Sequence, residues 1–173
     1  MLNYSNLNDV EFEYLCQDVM SKKLGVDLRR FATGRDGGLD LADSTDKPKI
    51  IIQVKHYIKT DVIGLMHSLA KEVEKVEKLK PTQYYICCSK ELSATRVKEI
   101  YVMFSDYMDS DENIMTLNEI EDFLVNDLNI DILRKHYKLW ISSTSVLQDL
   151  QNNDIFLDCE SLLSSINREI GRA

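Results

Sequence analysis

The sequence predicts an α/β domain in which helices flank a mixed central sheet. Three observations support this prediction. Short segments rich in β-branched and aromatic residues alternate with longer segments of helical periodicity. Capping and stopping residues stand at the expected ends of the helical segments. Strand, helix, strand and helix follow one another over residues 49–108, and this order implies at least one parallel crossover.

The first predicted helix begins after Asn8 or Asp9, either of which can cap it, and ends at Gly25. Glu13 lies at the edge of its apolar face, from which a carboxylate can reach inward. The apolar face itself consists of Phe12, Leu15, Cys16, Val19 and Met20. This helix is therefore expected to pack on the sheet along one side.

Three predicted strands follow the first helix. Residues 26–32 and 38–42 form the first two, joined by the glycine-rich turn 33–38. The polar loop 44–49 leads to the third strand, residues 49–57. Because this third strand is apolar on both faces, it is predicted to lie in the centre of the sheet.

A long helix is predicted from Thr60 or Asp61 to Lys80, where Pro81 ends it. Its first half is apolar. The charges of its second half, residues 71–80, are interpreted as a face exposed to solvent. The side chains predicted to point inward from that half are Val73, Val76 and Leu79.

The remaining predicted elements are a strand at 82–89, a helix at 92–108, a short strand or turn at 114–116 and a helix at 117–125. From Ile130 onward the chain is predicted to be helical to the end, with a break near residues 142–145. The predicted domain organisation is a catalytic domain over 1–128 followed by a helical C-terminal appendage or linker over 129–173.

The charge is distributed unevenly. The whole chain has a net charge of −8, yet residues 22–59 carry nine Lys or Arg and five Asp, a net +4. Phosphate binding depends on local rather than total charge, so this basic segment can still contact a nucleic acid. An ordinary mixture of surface charges is the alternative interpretation.

Several protein classes are disfavoured by composition. No apolar run approaches the ~20 residues that span a bilayer, and the first residues do not resemble a signal peptide, so a cytoplasmic location without membrane contact is expected. The four cysteines form no CxxC pair, which disfavours structural zinc and predicts reduced, buried thiols. They are Cys16, Cys87, Cys88 and Cys159.

The segment 34–57 carries the residues most suited to catalysis. Asp40 follows the glycine-rich turn, and Gln53 and Lys55 follow it by 13 and 15 residues in the central strand. Because strand side chains alternate, Gln53 and Lys55 share one face. A lysine inside an apolar run is costly to desolvate, and a facing Asp40 would compensate it. An acid, an oxygen donor and a lysine at one place suit metal-assisted attack on a phosphodiester, with Mg²⁺ or Mn²⁺ as the ion.

These residues resemble the core motif of the PD-(D/E)xK nuclease superfamily. The order Gly-x-Asp-Gly-Gly-x-Asp then Gln-x-Lys, with Phe-Glu in the first helix, is similar to its Mrr-like restriction endonuclease branch, over about residues 8–110. The resemblance implies a restriction-endonuclease-like fold and a metal held by Asp40, Gln53, the Val54 carbonyl and Glu13. It implies that Lys55 orients or deprotonates the attacking water. A solvent-facing acid is the alternative interpretation of Glu13.

Other residues near the motif have competing interpretations. Asp36, in the glycine-rich turn, is the alternative to Asp40 as metal ligand. His56 is interpreted as a core or helix-contacting histidine rather than a ligand. The candidate nucleic-acid contacts are Arg35, Lys47, Tyr57 and Lys59.

Residues 136–153 resemble the segment that joins Mrr-like nuclease domains to the nucleotide-binding module of bacterial antiviral STAND NTPases. That resemblance implies a downstream NTPase and sensor module, and homo-oligomers on activation; the chain itself contains no P-loop motif. The predicted function is that of a Mg²⁺-dependent endonuclease of low sequence specificity on double-stranded DNA, in defence against phage. The alternatives are a catalytically inactive nuclease-like module for DNA binding or oligomerisation, and a protein-interaction adaptor.

Overall fold

The computed structural model of the protein describes residues 2–32 and 38–141. Residues Tyr4–His136 form one compact unit, and the described residues 2–3 and 137–141 belong to a second unit. In this second unit the Asn3 N–H donates a hydrogen bond to the Leu139 carbonyl at 2.8 Å. Within the described ranges, no helix combines the length and the apolar character needed to cross a membrane.

The larger unit contains five α-helices and five β-strands among its described residues. The helices are α1 (Asp9–Leu24), α2 (Val62–Leu79), α3 (Ala94–Phe104), α4 (Leu117–Val125) and α5 (Ile130–Lys135). The strands are β1 (Arg29–Arg30), β2 (Leu41–Ala42), β3 (Ile50–Lys55), β4 (Gln83–Cys88) and β5 (Ile114–Met115).

The strands form one mixed sheet in the order β1-β2-β3-β4-β5. The pairs β1–β2 and β2–β3 are antiparallel, whereas β3–β4 and β4–β5 are parallel. The predicted α/β class is confirmed, since helices flank this mixed sheet. The predicted central position of residues 49–57 is confirmed too, because β3 is the middle strand and α2 is the parallel crossover from β3 to β4.

Helices cover both faces of the sheet. Cys88 belongs to a buried cluster with side chains of α2 and α3, while its neighbour Cys87 contacts Cys16 of α1. The two adjacent cysteines therefore face opposite ways, as strand alternation predicts. The three described cysteines are free thiols and buried; Cys159 lies outside the described residues.

Helices α1 and α2 begin and end at the capping residues that the sequence predicted. Asn8 forms a capping box with Glu11 at the start of α1, and Gly25 ends that helix at φ 64°. Asp61 accepts a hydrogen bond from the Gly64 N–H at 2.8 Å and so caps α2. Lys80, at φ 48°, ends α2 as predicted.

Several helices and strands are shorter than the sequence predicted. The strands predicted at 26–32 and 38–42 shrink to two residues each, so Asp40 lies just before β2 rather than within it. Strand β3 ends at Lys55 because the Tyr57 N–H leaves the ladder and donates to Ser89 Oγ at 2.9 Å. The helix predicted at 92–108 is confined to α3, which Ser93 caps.

The prediction of unbroken helix from Ile130 was wrong within the described residues. Helix α5 has six residues and ends at Lys135, because His136 leaves the helical conformation at ψ 57°. A 3₁₀ turn at Tyr137–Leu139 follows. The rest of the predicted appendage, including the break near 142–145, lies outside the described residues.

Candidate active site

A pocket of about 160 Å³ opens where the central strand β3 ends. Helix α1 contributes two acidic residues to it, the segment before β2 contributes one, and β3 with the two residues after it contributes the rest. The lining residues are Asp9, Glu13, Asp40, Gln53, Val54, Lys55, His56 and Tyr57. The structure thus brings together Glu13, Asp40, Gln53 and Lys55, which the sequence analysis selected.

Asp40 is fixed against β3 by its carboxylate. Its Oδ2 atom accepts a hydrogen bond from the Val54 N–H at 2.7 Å and another from the side-chain amide of Gln53. The antiparallel register that pairs Leu41 with Ile52 places Asp40 beside Gln53. Because both bonds end on Oδ2, the second carboxylate oxygen is not needed to hold the side chain.

Burial strongly affects the protonation of Asp40. Desolvation raises its pKa to about 6, against an ordinary value of 3.8, and the nearby carboxylates of Glu13 and Glu72 also raise it. The Val54 N–H and the Lys55 ammonium lower the pKa but do not offset burial. The carboxyl group therefore gains a proton in mildly acidic solution.

Lys55 points from β3 towards α2, where it meets a buried glutamate. Its Nζ lies 3.1 Å from Glu72 Oε1, and the other oxygen of Glu72 lies 2.9 Å from Lys75 Nζ. The side chains of Lys55 and Glu72 are only 12% and 10% exposed. The pair is thus removed from bulk water. In such a buried place the attraction between the two charges is stronger than at the surface.

The burial of Glu72 contradicts the sequence analysis, which interpreted residues 71–80 as a solvated face. A signal was available in the sequence. Glu72 continues a stripe of buried residues spaced by four, three and four positions, the spacing of a helix face turned to the core. The members of the stripe are Leu65, Leu69, Glu72 and Val76. An acid on such a face calls for a buried cationic partner, and Lys55 is that partner.

Glu13 enters the pocket from α1. Burial raises the pKa of Glu13, the nearby Arg30 charge lowers it, and Asp9 raises it. The guanidinium of Arg30 lies 3.3 Å from the centre of the Tyr14 ring, a cation–π contact that holds this cation on the α1 side of the pocket. Sequence reasoning did not single out Arg30 or Tyr14.

The two residues after Lys55 tie the pocket to both helix layers. The His56 ring stacks on Phe12 of α1 with centroids 4.5 Å apart, and His56 Nε2 lies 2.9 Å from the Leu7 carbonyl oxygen. This placement fits the interpretation of His56 as a helix-contacting residue, although it also lines the pocket. Tyr57 OH is 2.8 Å from Ser68 Oγ of α2.

The predicted nucleic-acid contacts separate into two groups. Tyr57 lines the pocket, whereas Lys47 and Lys59 are exposed and are not part of its lining. Arg35 and the competing ligand Asp36 lie outside the described residues.

The donors in the pocket fit a hard divalent cation in part. The carboxylates of Asp40, Glu13 and Asp9 and the amide of Gln53 supply oxygen, which Mg²⁺ and Mn²⁺ prefer. Over residues 2–32 and 38–141, no group of three or more His, Cys, Asp and Glu side chains is placed to hold a metal. An ion would therefore need the neutral oxygens of Gln53 and the backbone in addition to the carboxylates.

A mixed sheet whose central strand ends beside an acid, an amide and a lysine is the arrangement expected from the PD-(D/E)xK-like motif of the sequence. The family comparison agrees. Residues 4–83 match the model of the Mrr_cat family, described as restriction endonuclease. This part of the chain is therefore similar to a restriction endonuclease domain of the Mrr type, and the resemblance found in the sequence is confirmed for residues 4–83. Nucleases of this class act on DNA and typically use divalent metal ions.

One curated relative aligns with most of the chain. It is the uncharacterized protein y4cD of Sinorhizobium fredii (strain NBRC 101917 / NGR234), which is 24% identical over 153 residues. The alignment covers 88% of this chain and 24% of y4cD, so the chain spans about a quarter of that relative's length. No solved structure gives a significant match.

Proposed function

We propose that this chain is a DNA endonuclease domain that hydrolyses phosphodiesters with Mg²⁺ or Mn²⁺. The observation that carries the proposal is the convergence of Asp40, Gln53, Lys55 and Glu13 on one small pocket at the end of β3. These four side chains come from α1, the segment before β2, and β3, which are separated in sequence. The family match of residues 4–83 supports the nuclease class independently of this geometry.

The proposed metal ligands are Asp40, Gln53, the Val54 carbonyl and Glu13. A bound divalent ion would neutralise charge on the phosphoryl oxygens and lower the pKa of a water molecule. The Gln53 amide nitrogen donates to Asp40 in this structure, which leaves the amide oxygen as the atom that would bind the ion. Gln53 brings no charge, and this should make ion binding weaker than at a site with a glutamate in this position.

The proposed role of Lys55 is to orient the attacking water and to stabilise negative charge in the transition state. Lys55 is the last residue of β3 and lines the same pocket as Asp40. The proposed role of Glu13, which enters the pocket from α1, is to accept a proton from water or to complete the ion's ligands. The proposed DNA contacts near the site are Tyr57, which lines the pocket, and Arg30, whose charge acts on Glu13.

We further propose that the domain acts as a low-specificity effector in defence against phage. The support is the resemblance of residues 136–153 to the linkers of antiviral STAND NTPases. On this proposal a sensor and NTPase module follows in the intact protein, and activation brings several nuclease domains together. Clustering would offset the weak DNA binding expected from a net charge of −8.

Plasmid cleavage tests the catalytic proposal. Supercoiled DNA is incubated with Mg²⁺ or Mn²⁺ and a range of protein concentrations, using wild type, Asp40→Ala, Lys55→Ala and Lys49→Ala. Lys49 is exposed and lies one residue before β3, so its variant is the matched control. Cleavage by wild type and Lys49→Ala, with a loss of about 100-fold or more in the other two, is expected. Equal nicking by all four proteins would show that the activity comes from another source.

An inactive nuclease-like module is the second candidate, favoured by the neutral Gln53 and its hydrogen bond to Asp40. It predicts DNA binding without any ion-dependent cleavage at any protein concentration. Calorimetric titration with Mn²⁺ separates the two candidates, because only the enzyme requires an ion at Asp40. A single-stranded RNA substrate in the same assay tests the choice of DNA over RNA.

A further inference from the structure

We propose that Glu72 is a positioning residue, which holds the Lys55 ammonium at the end of β3 and links it through Lys75 to Gly38, two residues before Asp40. The inference rests on the proposed function, since it assigns Lys55 a role in phosphodiester hydrolysis. Glu72 lies 17 residues after Lys55 in a different element and does not line the pocket itself.

Both oxygens of Glu72 are occupied by ammonium groups. Oε1 lies 3.1 Å from Lys55 Nζ, and Oε2 lies 2.9 Å from Lys75 Nζ. A carboxylate with an ammonium on each oxygen has little capacity left to bind a divalent ion. This separates Glu72 from Asp40 and Glu13, which face the pocket as proposed ligands.

Packing fixes the position of the Glu72 carboxylate. Glu72 is on the buried face of α2, one turn from Leu69 and from Val76, both of which are in the core. The bond from Tyr57 OH to Ser68 Oγ ties the segment after β3 to the preceding turn of the same helix. Neither end of the Lys55–Glu72 pair can therefore move without disturbing packed elements.

Burial makes the pair necessary as well as rigid. Lys55 and Glu72 are about nine-tenths hidden from water, and a lone buried charge costs far more than a paired one. Without Glu72, the Lys55 ammonium would lose its only ion-pair partner among the described side chains. It would then be expected to turn towards solvent or towards Asp40, away from its present place.

Lys75 extends the connection to the main chain at Gly38. A Cβ atom built at Gly38 would lie 3.2 Å from Lys75 Nζ, so the ammonium is against this part of the main chain. Gly38 precedes Asp40 by two residues and has a φ of 60°. Glu72 therefore connects α2 both to Lys55 on β3 and, through Lys75, to the segment from which Asp40 projects.

Two measurements on Glu72→Gln and Glu72→Asp test the inference, with Glu74→Gln as the control on the exposed side of α2. The first is the rate of cleavage at saturating Mg²⁺ and DNA. The second is the rate at which Lys55 is reductively methylated by formaldehyde with dimethylamine–borane as the hydride donor, followed by mass spectrometry in the absence of ion and DNA. Circular dichroism and thermal unfolding show whether each variant is folded.

The expected result for Glu72→Gln is a fall in kcat of about 30-fold or more, with KM for DNA changed less than about threefold, since a displaced catalytic group lowers the rate of the chemical step. Methylation of Lys55 should become several-fold faster. Glu72→Asp, which keeps the charge, should recover part of both effects, and Glu74→Gln should resemble wild type. If Glu72→Gln does not fold, Glu72→Asp is compared with wild type in its place.

The inference is overturned if Lys55 is methylated at the wild-type rate in the folded variant, or if the variant cleaves DNA as fast as wild type. Its failure can be told from failure of the proposed function. If the wild-type protein cleaves no DNA with any ion, the proposed function fails, and the methylation rates still decide whether Glu72 holds Lys55.

Discussion

Replacing Asp40 by asparagine separates the cost of burying this carboxylate from its chemical use. The pKa of Asp40 is about 6 in the folded protein, against an ordinary value of 3.8. Because the folded state holds this proton more tightly, the contribution of Asp40 to stability is complete below about pH 4 and is lost as the pH rises through about 6. The interval from 3.8 to about 6 corresponds to a loss of about 3 kcal/mol at neutral pH.

Asparagine has nearly the same shape and carries no charge. Its side-chain oxygen can still accept the hydrogen bond from the Val54 N–H, whereas the bond from the Gln53 amide is weakened. Subtracting about 1 kcal/mol for that bond leaves a net gain for the variant of about 2 kcal/mol at pH 8. The gain should disappear towards pH 4, where Asp40 of the wild type is protonated in the folded state and about half protonated in the unfolded state.

Urea unfolding followed by circular dichroism, with EDTA present, measures the difference between pH 4.5 and pH 8. Asp106→Asn is the control, since Asp106 is an exposed aspartate. The reasoning is refuted if Asp40→Asn is less stable than wild type at pH 8, or if the difference between the two proteins does not change with pH. Either result would mean that burial does not disfavour the charged carboxylate.

Three further predictions concern other parts of the site. The cleavage rate of wild type should rise as the pH increases through about 6, because the ionised form of Asp40 is needed for ion binding. A cleavage rate that does not change between pH 5 and pH 8 would contradict this. Phe12→Ala removes a fully buried ring that stacks on His56, and it should lower the free energy of unfolding by about 3–5 kcal/mol in urea. Gly38→Ala should cost about 1–2 kcal/mol in the same measurement, because φ is positive there and Lys75 is close; a neutral result would show that this turn adjusts freely.

The parts of the fold that sequence could predict are those with strong local signals. The apolar run of β3 identified the central strand, and Asp61 with Lys80 and Pro81 defined the ends of α2. The spacing of Asp40 and Gln53 predicted their contact, because adjacent antiparallel strands bring such residues together. Each of these signals depends on residues of one helix or strand, or on two adjacent strands that also follow each other in the sequence.

The features that sequence reasoning missed depend on tertiary packing. Glu72 has the local surroundings of a solvated helix, and only its alignment with the buried stripe of α2 distinguishes it from Glu74. Its partner Lys55 belongs to another element. The contact of Arg30 with Tyr14 likewise joins a two-residue strand to α1, and neither the residue types nor their spacing predicts this contact. A buried ion pair requires both positions to be known in space.

Diffraction from crystals soaked in Mn²⁺ would test the account most directly, because the anomalous signal of manganese locates the ion without assumptions about ligands. The account predicts one ion in direct contact with a carboxylate oxygen of Asp40 and the amide oxygen of Gln53, with Lys55 still bonded to Glu72. An ion bound elsewhere, or a pocket that takes up no Mn²⁺ while Asp40 and Gln53 keep their hydrogen bond, would contradict it.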